Sequence, residues 1–317
     1  MTAAPVILTE QLTKQFDDYV AVDQVNLEVR PGEVYGLIGP NGAGKTTLIR
    51  LLAMASSPTI GDIYIDGQAI VRGQPNAEIK RRIGFLPDDF PLYDDLSVKD
   101  YLEYFGQLYY LNPEQLQQRV SEVLDLVNLQ NKRHSLISSL SRGMKQRLSL
   151  ARTVIHRPHL LLLDEPVSGL DPIARIDYCE TIKLLQKQGI TILISSHILS
   201  DLEDFCTTIG IMEQGRMVES GQLQSLYQRE GQQLLIAVVD EPADRNLERY
   251  LQTHPLVQSY ERIAKTGKTG VTFTGTEAEA ADLLRMLVTG GIRVSEFHYT
   301  QETLEDIFIR LGYQKTA

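Results

Sequence analysis

Two cysteines, no apolar run near membrane length, no basic leader and fewer cations than anions: the 317-residue sequence is bounded first by what it has little of. Cys179 and Cys206 lie far apart, with neither a CxxC pair nor a histidine at ligand spacing. That argues against a disulfide framework or a zinc site and reads as two reduced structural thiols in a cytosolic compartment. The strongest apolar stretches, HLLLLDEP and ITILISSH, are strand-sized, whereas a membrane-spanning helix needs roughly 20 apolar residues. The opening MTAAPVILTEQ has no cationic start and no long apolar core, so no secretory signal is expected. With 31 Lys and Arg against 41 Asp and Glu, the net charge is −10. Such a balance disfavours a nucleic-acid coat or a general binder of anionic lipid, while a local basic patch stays open. What is present is globular in character, with 43% hydrophobic residues and no low-complexity tract. At about 150 residues per domain, the length predicts one large and one small domain.

Turn signals and hydrophobic periods divide the chain. VILTEQLTKQF and VAVDQVNLEVR read as two strands of partial alternation followed by the turn PGE, and EVYGLIG as a buried strand. TTLIRLLAM has the spacing of a helix packed on a sheet, and GDIYIDGQAI alternates like an antiparallel strand with an Asp-Gly turn. From Ser97 to about Leu140 the pattern is helical. SVKDYLEYFGQLYYL opens on a good N-cap, and NPEQLQQRVSEVLDLVNL carries Asn112 as cap with Pro113 at the first helical position. SRGMKQRLSLARTVIH is helical again, HLLLLDEP is a buried strand, DPIARIDYCETIKLLQKQG is a helix ending on Gly189, and ITILISSH is another strand. Strands that alternate with helices and are apolar on both faces indicate a parallel α/β sheet, here interrupted by a helical insert.

One loop carries chemistry on its face. Gly39, Pro40, Asn41, Gly42, Ala43, Gly44, Lys45 and Thr46 match G-x-x-x-x-G-K-[ST] between a strand and a helix, the context of a phosphate loop. Glycines let successive backbone N–H groups turn inward around the β- and γ-phosphates, and the helix N-terminus adds its dipole. Lys45 then bridges β- and γ-phosphate oxygens and the Thr46 hydroxyl ligates Mg²⁺, with Thr47 beside it in the nucleotide-binding set. A second element, LLLLDEP, delivers Asp164 to the metal's water shell and Glu165 to the attacking water. Taken alone, that acidic pair reads rather as a cap for the next turn.

Four further stretches occur in the order found in one family, and with them the sequence resembles the ATP-binding subunit of ABC transporters. LSRGMKQR, Leu140 to Arg147, is similar to the family signature, with Ser141 and Gly143 in its phosphate-contacting positions. SGLD, Ser168 to Asp171, resembles the loop that crosses the dimer interface. His197 matches the switch histidine that senses the γ-phosphate, and Phe16 the aromatic that stacks on adenine, with Tyr19 as the alternative. On their own, Phe16 reads as strand core, His197 as a structural histidine, and Ser141 with Gly143 as a helix cap; the combination gives them weight.

The resemblance covers residues 6–222 and implies an ABC-type phosphate-loop ATPase fold, with an antiparallel β-subdomain and an α-helical subdomain over about 92–150, in a domain spanning 1–225. It implies ATP and Mg²⁺ as ligands and catalysis by Lys45, Glu165 and His197, with Thr46, Asp164 and Asp88 on the metal. It also implies a head-to-tail dimer with a second ATPase subunit, taken as an identical copy, in which Ser141 and Gly143 act on the partner's nucleotide. A separate multi-spanning permease is expected to dock near Asp88 and the helical insert from Leu92 to Leu111, placing the protein at the inner, cytoplasmic face of the membrane. No nucleic-acid partner is expected. Two departures stand out. Asp88 occupies the position of the usual Gln after FLP, which puts the sensor role there in doubt, and Arg142 that of a second glycine in the signature. Both resemble the subgroup serving export permeases, so export is expected; import, or a soluble ATPase acting on nucleic acid or ribosomes, are the alternatives. Beyond the motifs, residues 226–317 spell β-α-β-β-α-β, the order of a ferredoxin-like α+β domain, followed by an amphipathic helix in QETLEDIFIRLGY.

Overall fold

Side-chain alternation makes the first two strands. In the computed structural model, which describes residues 4–300 apart from 199, 204, 229–232, 240 and 264–266, β1 (Ile7–Phe16) and β2 (Tyr19–Val29) pair antiparallel. The apolar positions Val25, Leu27 and Val29 face inward while their neighbours face water. β3 (Val34–Ile38) differs, being buried at all five positions, as a central parallel strand covered on both faces must be. The phosphate loop and α1 (Lys45–Leu52) follow it. β4 (Ile60–Ile65) and β5 (Gln68–Ala69) complete a four-stranded antiparallel sheet in the order β2-β1-β4-β5.

A short α2 (Ala77–Lys80) leads to β6 (Ile83–Leu86), and the helical insert then begins. α3 (Val98–Leu108) starts where Ser97 Oγ accepts from the Asp100 amide at 3.1 Å. α4 (Pro113–Leu126) starts where Asn112 Oδ1 accepts from the Gln115 amide at 2.9 Å. Caps of this kind contribute about 1 kcal/mol each. The helical pattern expected from Ser97 to about Leu140 is met by α3 and α4; beyond them Gln130–Lys132 and Ile137–Ser139 are single 3₁₀ turns. α5 (Arg142–Val154), β7 (Leu160–Leu163), α6 (Pro172–Lys187) and β8 (Thr191–Ser196) follow, each inside the stretch that its sequence pattern indicated. After α7 (Ser200–Glu203) the hairpin of β9 (Thr208–Glu213) and β10 (Arg216–Gln222) closes the first compact unit.

The second sheet runs β10-β9-β3-β8-β7-β6, parallel throughout except for the antiparallel edge strand β10. Its neighbours β3, β8 and β7 therefore end side by side. Ligands of open parallel sheets bind outside the carboxyl ends of the strands, and the three loops leaving those ends carry Lys45, His197 and Asp164 with Glu165. Neither β6 nor the β9–β10 hairpin was evident in the sequence.

The second unit, from Leu223, comprises α8 (Leu223–Gln228), β11 (Gln233–Val238), α9 (Glu241–Thr253), β12 (Val257–Arg262), β13 (Thr269–Phe273), α10 (Glu277–Thr289) and β14 (Val294–Thr300). Its four strands form an antiparallel sheet ordered β12-β13-β11-β14. Leu234, Ile236, Leu251, Val271, Phe273 and Leu283 build its core. The amphipathic helix expected in QETLEDIFIRLGY lies outside the described residues.

Candidate active site

Gly44 caps α1 at φ +101, and a Cβ there would run into the carbonyl of Ala21. Only glycine meets both demands at low cost. The loop it ends wraps the Lys45 side chain, whose Nζ donates to the carbonyls of Gly39 at 2.7 Å and Pro40 at 3.2 Å. Lys45 is buried despite its charge, and its counter-ion is Glu165, with Oε1 at 3.5 Å.

Asp164 leaves β7 fully buried, held where its amide donates to the Leu86 carbonyl at 2.9 Å. Its Oδ1 accepts from Thr46 Oγ1 at 3.1 Å and from Ser195 Oγ at 2.8 Å. Its Oδ2 is buried with no hydrogen-bond partner. Burial pushes the Asp164 carboxyl above its ordinary range; the Ser195 and Thr46 hydroxyls pull it back, and the negative charges of Glu165 and Asp88 push it up again. Glu165 sits in the left-handed region at φ +49, a conformation that costs a non-glycine residue about 1–2 kcal/mol. Its own amide donates to Ser195 Oγ at 2.9 Å, and its carbonyl accepts from the Ser168 amide at 3.1 Å, which holds the turn. His197 Nδ1 lies 2.7 Å from Glu165 Oε2. One carboxylate is thus gripped by a lysine on one oxygen and a histidine on the other.

Asn41, Gly42, Ala43, Gly44, Thr46, Thr47 and Asp88 line the same cleft, of about 570 Å³, a volume within the usual range for a small-molecule site. Gly39 contributes through its carbonyl. Of the two aromatic candidates, Tyr19 lines the cleft, its hydroxyl donating to the Gly42 carbonyl at 3.3 Å. Phe16 lies outside that lining, half exposed, with Lys14 Nζ 4.7 Å from its ring centroid. Ser141 and Gly143 also lie outside it, at the head of α5, where Ser141 accepts from the Met144 amide at 3.3 Å. Ser195 was missed in the sequence, although it tethers both acidic residues; its only signal was the polar pair Ser195-Ser196 ending an apolar strand. No group of three or more metal-ligating side chains occurs among the described residues. A Mg²⁺ ion does not need one, since it takes one or two carboxylates together with substrate phosphates. The orphaned Oδ2 of Asp164 and the Thr46 hydroxyl are hard oxygen donors of that kind.

A family model described as ABC transporter matches residues 22–168. The bacitracin transport ATP-binding protein BcrA of Bacillus licheniformis is 33% identical, with 96% of this chain and 97% of that protein covered. A Nod factor export ATP-binding protein I of Cupriavidus metallidurans is 34% identical, with 98% of each covered. Among solved structures, a dimeric ATP-binding cassette in a post-hydrolysis state, bound to ADP and Pi, aligns with a TM-score of 0.63 at 25% identity over 68% of this chain and 98% of that one.

Proposed function

The chain belongs to the ABC transporter family as an ATP-hydrolysing, ATP-binding subunit, and from that premise we propose that ATP-driven dimerisation at this cleft powers a separate membrane permease in export. The observation that carries the proposal is the convergence of Lys45, Thr46, Asp164, Glu165 and His197 on one cleft.

Lys45 and the amides of Asn41, Gly42, Ala43, Gly44 and Thr47 receive the phosphates, the lysine exchanging its loop carbonyls for phosphate oxygens. Asp164 and Thr46 would hold Mg²⁺, with Asp88 lining the same cleft as a further oxygen donor. When bound, that ion neutralises charge on the transferring phosphoryl group. Glu165, fixed on both oxygens, orients the attacking water, and His197 reads the γ-phosphate while holding the carboxylate in place. Stacking on adenine is assigned to Phe16, with its cross-strand partner Tyr19, which lines the cleft, as the alternative. Ser141 and Gly143 act on the partner's nucleotide. Their absence from this cleft supports that reading, as does the dimeric state of the aligned cassette. Loss of the γ-phosphate then removes a ligand both subunits grip, and the dimer loosens.

No helix among the described residues is long and apolar enough to cross a membrane, and the proposed function gives that task to a second, membrane-spanning protein. Its docking surface is assigned near Asp88 and the helical insert from Leu92 to Leu111, with the chain peripheral on the inner face of the cell membrane. Export is supported by the name of the Nod factor relative. The division into an ATPase domain over 1–225, with its helical subdomain at about 92–150, and an accessory domain over 226–317 belongs to the same reading; along the chain, the first compact unit runs to Gln222 and the second starts at Leu223. A ferredoxin-like fold for the accessory domain is supported by its β-α-β-β-α-β order and its strand order β12-β13-β11-β14.

The test is affinity purification of the tagged chain from detergent-solubilised membranes of its own host, followed by mass spectrometry. A stoichiometric multi-spanning permease is the expected outcome. Recovery only with ribosomes or nucleic acid contradicts the proposal.

A further inference from the structure

Arg142 is the first residue of α5, a helix of 13 residues. A cation at that end meets the positive pole of the helix dipole and is disfavoured there. Its guanidinium folds back onto the turn that follows Glu165. Nη2 donates to the Ser168 carbonyl at 3.2 Å. Beyond it lies Gly169 at φ +66, where a Cβ would fall within 2.8 Å of three guanidinium atoms. Glycine at 169 is therefore what lets the arginine lie flat on the turn. Ser168 lines the nucleotide cleft, and its amide in turn donates to the carbonyl of Glu165 at 3.1 Å. A continuous chain of contacts thus runs from the head of α5, through the backbone of one residue, Ser168, to the residue that orients the attacking water.

We infer that Arg142 is a positioning residue that fastens the turn behind Glu165 to the head of α5, so that closure of α5 on a partner's nucleotide is felt by the carboxylate in its own cleft. The inference rests on the reading above, in which Ser141 and Gly143, the residues flanking Arg142, act in trans. A carbonyl acceptor and a planar bed on the glycine offset the unfavourable position of the cation. The geometry of the fork matters, because a guanidinium can donate to the carbonyl while its face stays packed on the peptide, whereas an ammonium supplies the bond alone.

The experiment compares the full-length wild-type chain with Arg142→Ala, Arg142→Lys and Gly169→Ala. ATP turnover is measured across ATP concentration, equilibrium ATP binding in the presence of a chelator, and Tm. Arg142→Ala is expected to lower kcat about tenfold with the Hill coefficient falling toward one, while ATP affinity stays within about twofold and Tm within about 2 °C. Arg142→Lys is expected to recover kcat to within about threefold of wild type, because one hydrogen bond to the Ser168 carbonyl is restored. Gly169→Ala, which displaces the guanidinium while Arg142 itself is kept, is expected to reproduce the loss. A wild-type kcat and Hill coefficient in Arg142→Ala overturn the inference, as does a loss that follows Tm and is not restored by lysine. A wild-type chain that neither hydrolyses nor dimerises overturns the underlying reading, and this inference with it; an active wild type matched by Arg142→Ala overturns this inference alone.

Discussion

Asp164 weakens the resting fold, and the proposed function requires it nonetheless. Its carboxylate is fully buried with one oxygen unpartnered, and burial raises its affinity for a proton. The sign follows from that shift. The folded chain binds more protons at Asp164 than the unfolded chain between the ordinary carboxylate pKa and the raised one, so the ionised group costs stability above that window and the cost fades on acidification. Asp164→Asn keeps an oxygen for Thr46 and Ser195 but removes the buried charge. Its expected outcome is a rise of about 2–4 °C in Tm for each kcal/mol gained, with ATP turnover lost; a calorimetric scan beside a phosphate-release assay checks both. An unchanged turnover would remove Asp164 from the proposed metal site. Residue by residue, the phosphate loop and the acidic pair were legible because their spacing is dictated by backbone chemistry. Ser195 and the left-handed Glu165 were not, since hydroxyl tethers and φ values are set by neighbouring strands rather than by local sequence.

Elements with strong local rules were the ones the sequence disclosed. Ser97 and Asn112 cap α3 and α4 as their sequences indicated, and the all-leucine β7 is buried at each position. β6, four residues long, and the β9–β10 hairpin carry weaker local signals, and their place depends on pairing across long separations. The joint between α5 and the sheet is of this second kind. His156, two residues beyond α5, stacks on Tyr109 at 3.8 Å between ring centroids and lies 3.1 Å through Nε2 from the Ile83 carbonyl in β6. The carbonyl accepts, so Nε2 carries the proton and Nδ1 is left buried with no hydrogen-bond partner. Burial lowers the His156 pKa to about 4, against a weaker upward pull from the Ile83 carbonyl. The unfolded chain therefore takes up the proton first. The stability contributed by neutral His156 is complete above pH about 6.5 and is lost as pH falls toward 4, by up to about 3 kcal/mol. His156→Phe is expected to flatten that part of the dependence in urea titrations at pH 7 and pH 5; an equal pH slope in both proteins would contradict the account.

At the scale of the whole molecule, the layout follows from which surfaces must be dry. β3, β7 and β8 are buried on both faces, so they occupy the middle of the parallel sheet, and the loops leaving their carboxyl ends have only one place to meet. That convergence brings Lys45 of one loop within 3.5 Å of Glu165 from another, and Glu165 within 2.7 Å of His197 from a third. The same layout leaves Ser141, at the head of α5, outside the cleft. On the proposed function, in which Glu165 serves this cleft while Ser141 and Gly143 lie outside it, a second ATPase subunit completes each site. The proposed function accordingly stands or falls with an ATP-dependent dimer, which size-exclusion chromatography with light scattering detects. Glu165→Gln keeps the lysine and histidine contacts but cannot act as a base, so with Mg-ATP the variant should elute at twice the monomer mass and return to the monomer when ATP is removed. A Glu165→Gln chain that binds ATP and stays strictly monomeric would contradict the account.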